Sequence, residues 1–88
     1  TVHSACSTSL YAVDMACRNI LTGACSLAVA GGSGLTLPSQ KGYLYTEGMI
    51  NSPDGHCRPF DQDAKGTVEG NGLGIVVLKR LDAAIKDR

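Results

Sequence analysis

Among residues of types that carry nucleophilic or acid–base chemistry, the cysteines and histidines are Cys6, Cys17, Cys25, Cys57, His3 and His56. Cys6 has the most informative surroundings. It lies in Ser4-Ala5-Cys6-Ser7-Thr8-Ser9-Leu10, where a short run of small residues meets an amphipathic segment. A thiol at a helix N-terminus faces the positive end of the helix dipole and unpaired N–H groups. Such surroundings favour the thiolate, which is the nucleophilic form. The small neighbours leave an acyl chain room to approach the sulfur. A backbone N–H at such a turn can also donate to the oxyanion of an attacked thioester. Cysteine is equally, by type, a small buried hydrophobe. Position alone therefore leaves both readings of Cys6 open.

The other candidates have plainer explanations. Cys17 falls on an apolar helix face, Cys25 opens a strand expected to be buried, and Cys57 has no activating partner nearby in sequence. With no CxxC pair, the four cysteines read as free thiols of a cytoplasmic protein. His56-Cys57 alone lacks the ligand spacing of a zinc site. If residues 3–6 are extended, His3 and Cys6 point to opposite faces, so His3 is structural rather than a general base. His56 sits in a loop and is assigned no role. Two apparent motifs fail. Gly70-Asn71-Gly72-Leu73-Gly74 precedes a strand, whereas a nucleotide-binding glycine loop opens a helix. Asp61-Gln62-Asp63-Ala64-Lys65-Gly66 starts like a calcium loop, but Lys65 replaces an oxygen donor and Gly72 stands at the twelfth position.

These side chains must be placed by a small set of elements. Thr1–Ala5 fits the end of a strand. Ser7, Thr8 and Ser9 are capping types, and Leu10, Val13, Cys17, Ile20 and Leu21 recur at helical spacing until Gly23. Asp14 and Arg18 are four apart and can pair for ~0.3 kcal/mol. Ala12, Met15 and Ala16 widen the apolar surface, so this helix is expected to be mostly buried. Cys25–Ala30 reads as a central strand ending at Gly31-Gly32. Ser39–Met49 reads as a short helix, and Ser52-Pro53-Asp54-Gly55 as a turn. Residues 56–72 form a polar connection and Leu73–Leu81 a buried strand. Asp82 caps a last helix. Strand, helix, strand, helix, strand implies an α/β layered fold.

Composition narrows the function classes. Eight basic residues balance eight acidic ones, so no electrostatic footprint for nucleic acid or an anionic membrane is present. The nearly uncharged stretch 19–40 is broken by glycines and Pro38, which argues against a membrane span. Buried parallel strands need neighbours and helices on both faces. Eighty-eight residues supply few, so the chain is expected to be an internal piece of a larger domain, not stable alone.

Several motifs together carry a resemblance along essentially the whole chain. Ser4-Ala5-Cys6-Ser7-Thr8-Ser9-Leu10 resembles the nucleophile motif of polyketide and fatty-acid β-ketoacyl synthases (ketosynthases). Leu27-Ala28-Val29-Ala30-Gly31-Gly32, Gly48-Met49, Ser52-Pro53-Asp54-Gly55, Phe60-Asp61, Gly66 and Gly70-x-Gly72-x-Gly74 follow in family order. Val76-Val77-Leu78-Lys79-Arg80-Leu81 closes the match. The resemblance implies a thiolase-like α-β-α-β-α fold, of which residues 1–88 are the N-terminal half, from the nucleophile motif onward. It implies that Cys6 accepts an acyl chain from the phosphopantetheine of an acyl carrier protein. A malonyl-type extender on another carrier domain then loses carbon dioxide and its enolate attacks the acyl group, as in covalent catalysis generally. It also implies a homodimeric parent, and no cofactor bound by this segment itself.

The family's two histidine motifs do not match His3 or His56, so the segment alone is not expected to catalyse condensation. Glu69 and Asn71 depart from the common Arg and Glu. With Gly42-Tyr43-Leu44-Tyr45 and Gly55-His56-Cys57-Arg58, they resemble the subgroup of hybrid peptide–polyketide assembly lines. Cys6 sets the chain apart from chain-length-factor relatives, which lack the nucleophile. A fatty-acid-type synthase and a non-catalytic scaffold or dimerisation segment are the competing readings. A hydrolase is rejected, because Cys6 lacks the flanking glycines of a nucleophile elbow and no triad is visible.

Overall fold

The longest regular element is helix α1, Thr8–Leu21. A computed structural model places it and describes residues 1–37 and 41–88. The predicted stop at Gly23 is present: Gly23 has φ +78°, a region open to glycine at little cost. Its N–H donates to the Ile20 carbonyl at 3.2 Å, and the Ala24 N–H donates to Asn19 at 2.9 Å. This pair of bonds is a Schellman closure, which satisfies carbonyls the helix end would leave bare. Arg18 Nε donates to Asp14 Oδ2 at 2.8 Å, as the spacing predicts.

Strands β1 (Leu27–Gly34) and β2 (Gly72–Lys79) form a two-stranded sheet. β1 begins two residues later than expected, because the Cys25 N–H still bonds the helix exit through the Asn19 carbonyl at 3.3 Å. It also runs through Gly31-Gly32 instead of stopping there. Both glycines admit close neighbours. A Cβ at Gly31 would fall onto the Gly74 carbonyl oxygen and lie 2.9 Å from Ile75 Cα, and one at Gly32 would lie 2.8 Å from Ser9 Cβ. The missing side chains thus let β2 and the first turn of α1 approach β1.

Ala16, Ile20 and Ala30 form the buried core, where α1 meets the sheet. Ser9, Leu10 and Val13 share that side with Gly74 and Val76. Val29, Leu73 and Ile75 line the opposite side. Leu73 is 75% exposed and Ile75 62%. The expectation of a mostly buried helix and fully buried strands therefore fails for the described residues. α1 packs on the sheet along one stripe, leaving Leu10 and Leu21 exposed.

Other expectations are corrected locally. Thr1–Ser4 form no strand, and Ala5–Ser7 make a single 3-10 turn. The Ser4 carbonyl accepts the Ser7 N–H at 3.1 Å and the Ser4 N–H goes to Thr8 Oγ1, so both backbone groups of Ser4 are taken by the turn. The last helix, α2 (Leu81–Lys86), has Arg80 at its N-cap. Asp82 lies inside the first turn and accepts from Arg80 Nε and Nη2 at 3.1 Å each, so it pairs instead of capping. The observed order of regular elements is helix, strand, strand, helix.

The described residues divide into two compact units, Thr1–Ser33 with Gly72–Arg88, and Gly34–Asn71. The second holds no helix or strand among its described residues, only an isolated parallel bridge between Asn51 and Thr67. The helix expected over Ser39–Met49 is absent from 41–49, and residues 39–40 lie outside the described residues. Gly42 (φ +66°) and Gly48 (φ +80°) interrupt helical backbone. The expected turn at Ser52–Gly55 is present, with Ser52 the most deeply buried residue among those described.

Candidate functional site

Cys6 occupies the middle of the 3-10 turn that runs directly into α1, and its thiol is free and exposed. The residue before it, Ala5, has φ +47°. A non-glycine residue avoids this left-handed region because Cβ crowds the following carbonyl, at a penalty of about 1–2 kcal/mol. The strained residue sharpens the bend that presents Cys6 at the end of the helix.

Hydroxyl groups hold the bend from both sides. Ser7 Oγ donates to the Ser4 carbonyl at 2.8 Å, and the Ser4 and Ser7 hydroxyls lie 2.8 Å apart. Thr8 Oγ1 donates to the Ala5 carbonyl at 2.8 Å and accepts the Ser4 N–H at 2.9 Å. The side chains expected to cap α1 are thus turned back onto the approach segment. Ser7 is the N-cap residue but makes no side-chain cap bond. The N–H of Thr8, the first residue of α1, donates instead to the Ala5 carbonyl, closing the 3-10 turn onto the helix.

The remaining candidates are dispersed. His3 is exposed and lines a groove of about 550 Å³ with Val2, Thr8, Met15 and Ala30; Cys6 is not among its lining residues. Cys17 and Cys25 are half-buried and Cys57 is exposed; all four thiols are free, as expected. Cys25 belongs to the exit from α1, not to a strand. His56 is engaged in the second unit, where its Nδ1 lies 2.9 Å from the Asp54 carbonyl oxygen. Asp54 has its carboxyl lowered from 3.8 to about 2, chiefly by the Ser52 hydroxyl, then by the His56 N–H and Arg58. Among the described residues no group of His, Cys, Asp and Glu could hold a metal ion.

Sequence reasoning missed the left-handed Ala5 and the double role of Thr8. The signal was available in Ser4-x-x-Ser7-Thr8, because Ser and Thr hydroxyls often bond backbone groups three or four residues away.

Residues 1–84 match the family model "Beta-ketoacyl synthase, N-terminal domain". The chain belongs to the β-ketoacyl synthase family. Curated relatives bear polyketide synthase names, among them the following two. A phenolphthiocerol/phthiocerol polyketide synthase chain of Mycobacterium tuberculosis is 55% identical over 84 residues, covering 96% of this chain and 6% of the relative. Highly reducing polyketide synthase ZEA2 of Gibberella zeae is 50% identical over 88 residues, covering 99% of this chain and 4% of the relative. The chain thus spans a small fraction of the curated relatives it matches. A crystal structure of ketosynthase twelve from the bacillaene polyketide synthase of Bacillus amyloliquefaciens superimposes with a TM-score of 0.89 at 36% identity. The match covers 98% of this chain and 15% of that one. The fold is α/β and thiolase-like, as the resemblance implied, and the chain is a piece of a ketosynthase.

Proposed function

We propose that Cys6 is the acyl-accepting nucleophile of a ketosynthase that extends polyketide chains, and that residues 1–88 supply the nucleophile-bearing part of that domain. The observation that carries this reading is the placement of Cys6. It is exposed in the 3-10 turn that leads into α1, directly after a left-handed Ala5, within a segment matched by the family model. The names of the relatives favour a polyketide over a fatty-acid context.

The chemistry runs in two halves. The Cys6 sulfur, as thiolate, attacks the carbonyl of an acyl thioester borne on the phosphopantetheine arm of an acyl carrier protein. A sulfur–carbon bond forms, the carrier's sulfur leaves with the electron pair, and a proton returns to it. N–H groups at the start of α1 are suited to receive the oxyanion of the tetrahedral intermediate. A malonyl-type extender on a second carrier then loses carbon dioxide, and its enolate carbon attacks the acyl-Cys6 carbonyl. The new carbon–carbon bond forms, and the bond to Cys6 breaks with its electron pair on sulfur, regenerating the thiolate and leaving a β-ketoacyl thioester. Neither His3 nor His56 is assigned a part in decarboxylation. Carrier-protein partners, a homodimeric parent and a cytoplasmic setting belong to the same proposal.

The test is intact-mass spectrometry of the full-length protein with an acyl-N-acetylcysteamine thioester. One acyl group should appear on the peptide containing Cys6 and vanish completely in Cys6→Ala. An adduct that survives the substitution rejects the assignment. An unmodified wild type whose Cys6 also resists iodoacetamide would favour the scaffold reading.

A further inference from the structure

Two hydrogen bonds converge on one hydroxyl beside the nucleophile. Thr8 Oγ1 accepts the N–H of Ser4, the residue before Ala5, and donates to the carbonyl of Ala5 itself. The strained φ of +47° lies between these two bonded groups. Thr8 is half-buried in the first turn of α1, so its own position is fixed by the helix. Ser7 bonds only the Ser4 carbonyl and hydroxyl, on one side of the bend. Among the described residues, Thr8 alone ties both sides of Ala5 with its side chain.

From this geometry we infer that Thr8 is a positioning residue for Cys6: its hydroxyl holds Ala5 in the left-handed conformation that sets where the sulfur stands. Left-handed backbone at a non-glycine residue persists only where its surroundings over-determine it, and such residues cluster at functional sites. Without the clamp, Ala5 relaxes to an ordinary conformation and the attached Cys6 swings with it. Misplacement of a reacting atom by a fraction of an ångström to an ångström lowers the rate of attack, while substrate affinity, set elsewhere, changes little. The inference rests on Cys6 being the acyl acceptor, and the experiment separates the two ideas.

Single-turnover acylation of Cys6 is measured by mass spectrometry in the full-length protein over a range of acyl-N-acetylcysteamine concentrations. Thr8→Val keeps the side-chain shape and removes both bonds. It should slow the maximal acylation rate on the order of tenfold, with the half-saturating concentration changed less than about twofold. Thr8→Ser, which keeps the hydroxyl, should restore most of the rate. Glycine adopts positive φ without support, so Ala5→Gly combined with Thr8→Val should recover as well. A Thr8→Val protein that acylates at the wild-type rate overturns the inference, as does a Thr8→Ser protein as slow as Thr8→Val. If circular dichroism shows Thr8→Val unfolded, Thr8→Ala is compared with Thr8→Ser in the Ala5→Gly background. Equal rates there are expected, and a marked advantage for serine would overturn the clamp. A wild type that forms no Cys6 adduct sinks the nucleophile reading instead.

Discussion

The two units of the chain keep their backbones in place by opposite means. In the unit of Thr1–Ser33 with Gly72–Arg88, regular elements do the work, and glycines at 31 and 32 let them close on one another. In Gly34–Asn71 there is no helix or strand to lean on among the described residues, and side chains substitute for ladders. Tyr43 Oη donates to the Ser52 carbonyl at 2.6 Å, and Ser52 Oγ donates to Asp54 Oδ1 at 2.8 Å. Arg58 Nη1 reaches Asp54 Oδ2 at 2.9 Å. The first arrangement gives a rigid stage for one sulfur; the second fixes an irregular loop through side-chain hydrogen bonds centred on the buried Ser52. Both units leave apolar side chains exposed, but what each buries differs: Ala16, Ile20 and Ala30 in the first, the hydroxyl-bearing Ser52 in the second.

The sharpest way to test this contrast is to damage each unit by its own mechanism. Gly31→Ala drives a Cβ onto the Gly74 carbonyl oxygen, which belongs to backbone and cannot rotate away. It should destabilise the first unit by about 3 kcal/mol, the upper range of overpacking. Amide hydrogen exchange should then rise across α1, β1 and β2 while Tyr43–Thr67 stays protected. A uniform rise over the whole chain would break the contrast. Ser52→Ala is the mirror experiment. It removes the hydroxyl that donates to Asp54 and accepts the His56 N–H at 3.2 Å. The expected loss is about 1 kcal/mol, the net worth of hydrogen bonds whose remaining partners can turn to water. Exchange should rise first at Asn51–Arg58.

Much of this was legible from the sequence, for a physical reason. Helical spacing from Leu10 to Leu21 with Gly23 beyond it specifies α1, and Ile75-Val76-Val77-Leu78 specifies β2, because periodicity and stop residues are local properties. Cys6 was legible through its neighbours and through family motifs spread over the chain. What failed depends on contacts distant in sequence. β1 continues through Gly31-Gly32 because Gly74 and Ser9 approach there, and no local rule announces an approach. The segment 41–49 contains helix-compatible residues, yet Tyr43 is committed to the Ser52 carbonyl nine residues on. Asp82 looked like a cap until Arg80 claimed its carboxylate. Ala5 escaped because alanine carries no mark of positive φ; only the hydroxyls around it do.

Acid should separate the units more gently. The Asp54 carboxyl is lowered from 3.8 to about 2 in the folded chain, first by the Ser52 hydroxyl and then by the His56 N–H. A carboxyl depressed by folding lends stability that is fully present above its unfolded value and is lost as pH falls through the folded one. Stability of the loop should therefore decline between about pH 4 and pH 2. Asp54→Asn should flatten that limb in a pH series of urea midpoints, and an unchanged acid limb would remove Asp54 from the account. Ser52→Ala should shrink the same limb, because it takes away the first cause of the depression.

The smallest effect belongs to the surface of α1. Arg18 and Asp14 meet at 2.8 Å, but their side chains are 74% and 49% exposed. At such exposure water and salt screen the charges, and ordering two long side chains offsets most of the attraction. A double-mutant cycle on Arg18→Ala and Asp14→Ala should return a coupling of about 0.3–0.5 kcal/mol that fades in high salt. Cys6 acylation should be unaffected, since α1 is fixed at its start by the Ser4–Thr8 bonds and at its end by Gly23. A coupling several times larger would mean that surface charge, and not backbone closure, holds the helix that carries the thiol.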